Sequence, residues 1–303
     1  MIPEAVFREN EEHLFDLAYR LTGSAADAED VVQDTFTRAL EHPPERLDLP
    51  LRPWLVRVAM NVGRDLLRKR RRTRYTGDWL PSPLETDSVP AASDPPDVRY
   101  GRLESASAAF LRALEALPAK PRAVLLLRDA FGYSVRETAD VLAISEPDVK
   151  TTLHRARRVL ADYDGARKPP SPALQEATRV ALEKFLVALE TQDMAQIEQH
   201  LAASVRAVSD AGGEFNAAAN TVEGRSRVAR LFAGLTRKPG AVPVWLEIRM
   251  MNGLPALVVK TTEARPRFAS RFVIRCEVDE LGKITNVETI LATRKLARVK
   301  FGA

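Results

Sequence analysis

The stretch 134–160 constrains the fold of this chain more than any other. Ser134 followed by Glu137 forms a capping box, the arrangement in which a hydroxyl and a carboxylate reciprocally satisfy the free amides of a helix start. Ser145 followed by Asp148 repeats the signal, and only Ala143 and Ile144 lie between the first helix, ending at Leu142, and the second. Two capped helices with so short a turn form a helix-turn-helix. Ala139 is small where the helices must cross, and Ile144 and Val149 can fill the space between them. Ala143 occupies the turn position usually given to glycine, at a cost of about 1 kcal/mol if it turns left-handed. On the second helix Val149, Leu153, Ala156 and Leu160 share one face, while Pro147, Lys150, Thr151, His154, Arg155 and Arg158 share the other. A recognition helix presents such a polar face to bases and phosphates; a solvated face on an ordinary helical hairpin is the rival reading.

The rest of the chain divides around this motif. With 303 residues, 45% of them hydrophobic, it is long enough for two or three cores. Residues 1–74 read as all helix, with Ser24 and Asp27 as a helix start and Val32, Phe36 and Ala39/Leu40 at helical spacing. After the break HPPERLDLPLRP a helix begins near Pro53, and Trp54, Val58, Val62 and Leu66 are its expected buried stripe. Arg57, Asn61, Arg64, Asp65 and Arg68 form a polar stripe, continued by the basic run RDLLRKRRRTR at 64–74. Net charge is only +4, so this local concentration is the informative quantity, consistent with nucleic acid as a partner.

Residues 75–102, rich in Pro, Ser and Asp and without periodicity, read as a linker, followed by a second helical module over 103–165 and the hinge GARKPPSP. The domain over 173–303 is expected to be α+β, helices first and a meander afterwards. Helices are read from Leu174, Ala181, Leu182, Phe185 and Leu189, from Met194, Ile197 and Leu201, and from Val228, Leu231, Phe232 and Leu235. Strands are read at 242–250, 254–260, 270–278 and 284–290, with hairpin turns at Asn252-Gly253 and Gly282.

The lone Cys276 excludes an internal disulfide, and its strand-like surroundings favour a buried thiol. His13, His42, His154 and His200 lack metal spacing, so neither metal nor cofactor is expected. No signal-peptide pattern and no apolar run of about 20 residues is present, so a cytoplasmic protein without a membrane partner is expected.

These segments, in this order, resemble the extracytoplasmic-function (ECF) sigma factors of bacterial RNA polymerase. DAEDVVQDTFTRAL at 27–40 is similar to their polymerase-docking helix, 52–72 to their promoter-melting helix, and 116–160 to their fourth conserved region. The resemblance implies two all-α sigma-factor domains, with core RNA polymerase and promoter DNA as partners. It implies that Asp27, Glu29, Asp30, Val31, Gln33, Asp34 and Phe36 form the polymerase-docking face. Arg57, Asn61, Arg64, Asp65 and Arg68 would lie near the −10 element, and the recognition helix in the −35 major groove.

YTGDWLPSPLET at 75–86 further resembles the WLP-bearing linker of the subgroup with a SnoaL-like, NTF2-type cone at the C-terminus in place of a separate anti-sigma protein. An exposed Trp79 beside Pro81 and Pro83 is costly, so the segment Trp79, Leu80, Pro81 is expected to dock, either in a groove or against the neighbouring helices. The subgroup's Gly-rich loop is matched by Asp210-Ala211-Gly212-Gly213-Glu214, with Ala for a Gly and Glu for the Lys, and its regulatory contact stays open here. The leading reading is therefore a non-enzymatic promoter-specificity factor tuned by its own C-terminal domain. Three others are weighed: a small-molecule pocket in that domain; a hydrolase or isomerase fused to a DNA-binding regulator, for which Asp210, His200 and Arg271 are candidates by type alone; and a one-component repressor that binds its own operator without polymerase.

Overall fold

The computed structural model describes residues 2–45, 48, 50–72, 75–88, 98–218, 220–237, 243–262 and 267–302. The last two residues of the basic run, linker residues 89–97 and the first residue of the strand read at 242–250 lie outside them. The chain forms two compact units, one of Met1–Arg74 and Asp87–Pro169, the other of Tyr75–Thr86 and Pro170–Ala303.

The first unit is all helical. Helix α1 (Glu4–Thr22) stops at Gly23, whose φ of 67° lets its amide turn back to the Tyr19 carbonyl. Ser24 then caps α2 (Ala25–Glu41) by accepting from the Asp27 amide at 3.2 Å. Helix α3 (Arg52–Arg72) crosses α1 at Gly63, where a β-carbon would lie 2.6 Å from Leu21 Cδ2. The expected stripe on α3 is offset by part of a turn. Val62 is buried, but Trp54, Val58 and Leu66 flank the buried face, which is made by Leu55, Val56, Ala59, Met60, Gly63 and Leu67. Close helix crossing favours small residues, and spacing from the large side chains alone overlooked Ala59 and Gly63.

Short helices α4 (Arg102–Ser105) and α5 (Ala108–Leu114) precede α6 (Ala119–Asp129), α7 (Val135–Leu142), α8 (Glu146–Val159) and α9 (Ala161–Ala166). Their core gathers Phe110, Leu111, Leu114, Val124, Leu127, Val149 and Leu160. Arginines join this half of the unit to the first three helices. Arg20 Nε donates to Ser105 Oγ at 2.7 Å, and Arg122 donates to the Leu21 carbonyl at 3.1 Å and to Glu115 at 2.7 Å. Arg70 reaches both Glu115 oxygens at 2.7 and 2.8 Å and the Thr22 carbonyl at 2.9 Å. Part of the basic run is thus engaged within the protein.

The second unit contains α10 (Pro172–Thr191), α11 (Met194–Gln199), β1 (Leu201–Asp210), β2 (Val222–Glu223), α12 (Arg225–Thr236), β3 (Pro243–Met251), β4 (Leu254–Thr261), β5 (Arg271–Val278) and β6 (Ile284–Ile290). The sheet order is β2-β1-β6-β5-β4-β3, with β1 parallel to β6 and every other pair antiparallel. Asn252 and Gly253, with φ of 55° and 84°, make the tight β3–β4 turn that matches strand twist. Leu182, Phe185, Ile197, Val205, Phe232, Cys276 and Val287 build the core between the helices and one sheet face. A second cluster, Leu80, Met251, Ala256, Val258, Val273, Ile290, Leu296 and Val299, covers the other face. This is an α+β cone of the SnoaL-like, NTF2 type. Its order corrects the expectation of helices before strands: Leu201 opens a strand, and β1 precedes α12. The run LAASVRAVSD is rich in Ala and Ser, which carry little strand preference, so its alternation is faint.

Candidate functional site

Helix α7 begins with the complete capping box, the Ser134 amide donating to Glu137 Oε2 at 2.7 Å and the Glu137 amide to Ser134 Oγ at 3.1 Å. The Ser134 backbone hydrogen bond holds the Glu137 carboxyl below its ordinary range, the Ser134 side chain adding to it. Ala143 ends the helix at φ 52°, the left-handed turn expected of it. Ser145 caps α8, and Asp148 in its first turn is kept acidic chiefly by Lys120, whose Nζ lies 2.5 Å away. Val149, Leu153, Ala156 and Leu160 are buried, while Pro147, Lys150, Thr151, His154, Arg155 and Arg158 are all exposed on the opposite face. Arg157 grips buried Asp129 through two bonds of 2.6 and 2.9 Å, fixing α8 to α6.

On α3, Arg57, Asp65 and Arg68 are exposed, and Asn61 and Arg64 are half-buried. Arg64 donates to Asn61 Oδ1 at 3.4 Å, and its burial, with Arg68 nearby, lowers the guanidinium pKa. On α2, Glu29, Asp30, Gln33 and Asp34 face outward and Asp27 is half-buried. Phe36 is half-buried with its ring 4.7 Å from that of Phe7. Val31 corrects the expected docking face: it is fully buried, packed toward the α1–α3 crossing, and has no surface to offer a partner. Of the pair Ala39/Leu40 read at helical spacing, Ala39 is buried and Leu40 is exposed, one turn beyond Phe36.

Linker residues 75–86 are seated in the second unit, on the sheet face opposite the helices. The segment is held mainly by its backbone. The Leu80 amide donates to Asp210 Oδ2 at 2.7 Å, and the Leu80 carbonyl accepts from Lys295 Nζ. The Pro81 carbonyl accepts from Arg275 at 3.2 Å, the Leu84 amide donates to Asn252 Oδ1 at 3.2 Å, and the Leu84 carbonyl accepts from the Asn252 amide at 2.8 Å. Tyr75 donates its hydroxyl to Asp210 Oδ1 at 2.5 Å, and Glu85 pairs with Arg249.

Two ion pairs lie beneath the linker. Asp210 pairs with Lys295, and Arg275 with Glu288 at 2.9 Å, every one of these side chains under a tenth exposed. Burying charges is costly unless they are paired and hydrogen-bonded, and the linker carbonyls supply part of that requirement. Trp79 is only half-buried, with Lys295 Nζ 4.3 Å from its ring centre, and Leu80 is the side chain that enters the core. Gly212 fits against Ala292, where a β-carbon would be 3.1 Å from Ala292 Cβ, and Gly213 faces Thr76. Thus Trp79, Leu80, Pro81, Asp210, Gly212 and Gly213 come together. Tyr75, Asn252, Arg275 and Lys295 were not found from sequence; Arg275 shares its face of β5 with Val273 but also with Arg271 and Glu277, so the alternation gives no sign that it is buried.

Asp210, weighed as a catalytic acid, is fully buried with its carboxylate taken by Tyr75, Leu80 and Lys295. His200 immediately precedes β1 and Asp210 ends it, so ten residues of strand, roughly 30 Å, separate them. Arg271 lies over the Phe301 ring at 5.5 Å. Burial pushes the Cys276 thiol up to about 12, as befits a core residue. No cluster of potential metal ligands, and no helix long and apolar enough to cross a membrane, occurs among the described residues.

A helix-turn-helix with an exposed basic face, preceded by a helical domain with a second polar stripe, has the build of the DNA-binding class of proteins. The comparisons narrow the class. Residues 6–73 match sigma-70 region 2, and residues 107–160 match sigma-70, region 4. The ECF RNA polymerase sigma factor SigJ of Mycobacterium tuberculosis is 33% identical over 237 residues, covering 76% of this chain and 72% of the relative. SigL of the same species is 37% identical over 160 residues, 52% of this chain and 85% of the relative. The crystal structure of M. tuberculosis SigJ matches with a TM-score of 0.69 at 25% identity, covering 97% of this chain and 98% of that one. The chain belongs to the ECF RNA polymerase sigma factors, a family of transcription proteins that are not enzymes.

Proposed function

We propose that this sigma factor directs core RNA polymerase to its promoters under the control of its own C-terminal domain, without a separate anti-sigma protein. The exposed face of α8 reads the −35 element, Arg57, Asn61, Arg64, Asp65 and Arg68 serve the −10 element, and the outward residues of α2 with Phe36 dock on the polymerase. The observation that carries the regulatory part is the seat of the linker. Leu80 is buried in the C-terminal domain, with its amide and carbonyl held by Asp210 and Lys295.

The linker joins the two DNA-reading regions, which pack against each other through Arg20, Arg70 and Arg122. Elements named −35 and −10 are about 25 base pairs apart, roughly 85 Å at about 3.4 Å per pair. A packed unit of this size has a radius of gyration of only about 15 Å, so the regions must separate to occupy both elements. A seated linker restrains that separation, and its release shifts the population toward the competent form.

Run-off transcription with purified core polymerase tests this, using the full chain, Leu80→Asp, and a chain ending at Arg167. Both changes are expected to raise transcription while core binding persists. Transcription identical to the parent in both would sink the regulatory reading.

A further inference from the structure

The loop that follows β1 holds more than the linker. Asp210 uses its carboxylate on Tyr75, Leu80 and Lys295, and its carbonyl accepts the amides of Leu291 and Ala292 at 2.8 and 3.1 Å. Those residues lead into a single 3-10 turn, Thr293–Leu296, which carries Lys295. Four residues beyond Asp210, Glu214 accepts from the Thr293 amide, with Oε1 at 3.2 Å and Oε2 at 3.3 Å. The loop is folded for this contact: the Glu214 amide bonds back to the Ala211 carbonyl at 2.9 Å, and the Gly212 amide to Asp210 Oδ1 at 3.2 Å.

We propose that Glu214 is a positioning residue for the linker seat: by fixing the Thr293–Leu296 turn it aims Lys295 at the Asp210 carboxylate and the Leu80 carbonyl. A lysine has many rotamers and loses them on burial, so a wandering turn would leave Asp210 without its cation. The first amide of a helical turn has no partner within the turn, and a carboxylate is the strongest acceptor it can be given. Glu214 stands where the resembled loop carries lysine, and a cation there would present no acceptor to Thr293. In this chain the loop therefore acts on the tail, and through Lys295 on the linker. The same Nζ lies over the rings of Trp79 and Tyr75, at 4.3 and 5.0 Å, so one misplaced turn loosens several contacts of the seat.

The inference rests on the reading that the seat controls promoter use, and its test separates the two. Hydrogen–deuterium exchange of the full chain is followed at the amides of residues 79–86 and in β5 and β6. Glu214→Lys removes the acceptor, and Thr293→Pro removes the donor at a position where proline is tolerated. Each is expected to speed linker exchange roughly tenfold, the scale of losing one cap, with β5 and β6 unchanged. Glu214→Gln, which keeps an acceptor oxygen, should stay nearer the parent, and the double variant Glu214→Lys/Thr293→Pro should exchange no faster than either single one. Parental linker exchange in both single variants overturns the proposal, as does equal acceleration across β5, β6 and the linker. Faster linker exchange with unchanged run-off transcription supports the positioning role and overturns the regulatory reading.

Discussion

Ala143 closes α7 at φ 52°, a conformation that glycine adopts freely and alanine does not. Ala143→Gly is expected to stabilise the chain by about 0.5–1 kcal/mol, read as a higher urea midpoint, without altering the exposed face of α8. His13 stores a pH dependence. Its ring sits edge-on to Phe131 at 6.0 Å, with Nε2 3.5 Å from the Tyr133 hydroxyl, and burial first, then Arg52 and Arg20, lowers its pKa from 6.5. The folded state then resists a proton that the unfolded chain accepts. Its contribution to stability is complete above about pH 6.5 and declines as pH falls below that value. Denaturation between pH 7 and pH 5 should show a shallower loss for His13→Gln than for the parent, and equal slopes would remove His13 as the cause.

At the scale of elements, legibility follows how local the determinants are. Helices α7 and α8 were readable because capping boxes and a one-sided apolar spacing lie within a few residues. Strands β3 to β6 were readable from β-branched runs and the Asn252-Gly253 turn. Strand β1 was not, since Ala202, Ala203, Ser204 and Ser209 blur its alternation and its pairing with β6 is remote in sequence. The seat was half readable: an apolar Trp-Pro segment announces docking, but Lys295 and Arg275 find their partners only after the sheet has folded. Val31 was misassigned because a buried and an exposed residue differ by one step around a helix.

The faces of α8 and α3 lead to a separation of effects. Lys150→Ala or Arg155→Ala should weaken use of the −35 sequence, and Asn61→Ala use of the −10 sequence. A lost base contact costs about 1–3 kcal/mol and relaxes preference at one base pair. A matrix of promoter variants against these proteins that shows no such division would refute it.

Across the first unit, charge holds the two helical regions together. Glu115 serves both Arg70 and Arg122, and Arg122 is nearly inaccessible, its pKa lowered chiefly by burial. Glu115 is a third exposed, so Glu115→Ala, which leaves the buried guanidinium without its counter-ion, is expected to cost about 1–3 kcal/mol, less than a fully buried pair. Earlier chemical unfolding of the first unit is expected, with a larger radius in small-angle scattering. A radius and midpoint matching the parent would show that Glu115 does not restrain the regions.

The linker seat also bears on how this chain can diverge over generations. Asp210, Lys295, Arg275 and Asn252 hold amides and carbonyls of residues 80–84, groups that nearly every amino acid carries alike. Leu80, Ser82 and Leu84 are buried, so their side chains must keep their size, but the backbone contacts themselves place no demand on residue type. A single-residue deletion or insertion between Leu80 and Leu84 would put every later backbone group out of step with its fixed side-chain partner. Natural selection on this segment should act on its length more strictly than on its spelling.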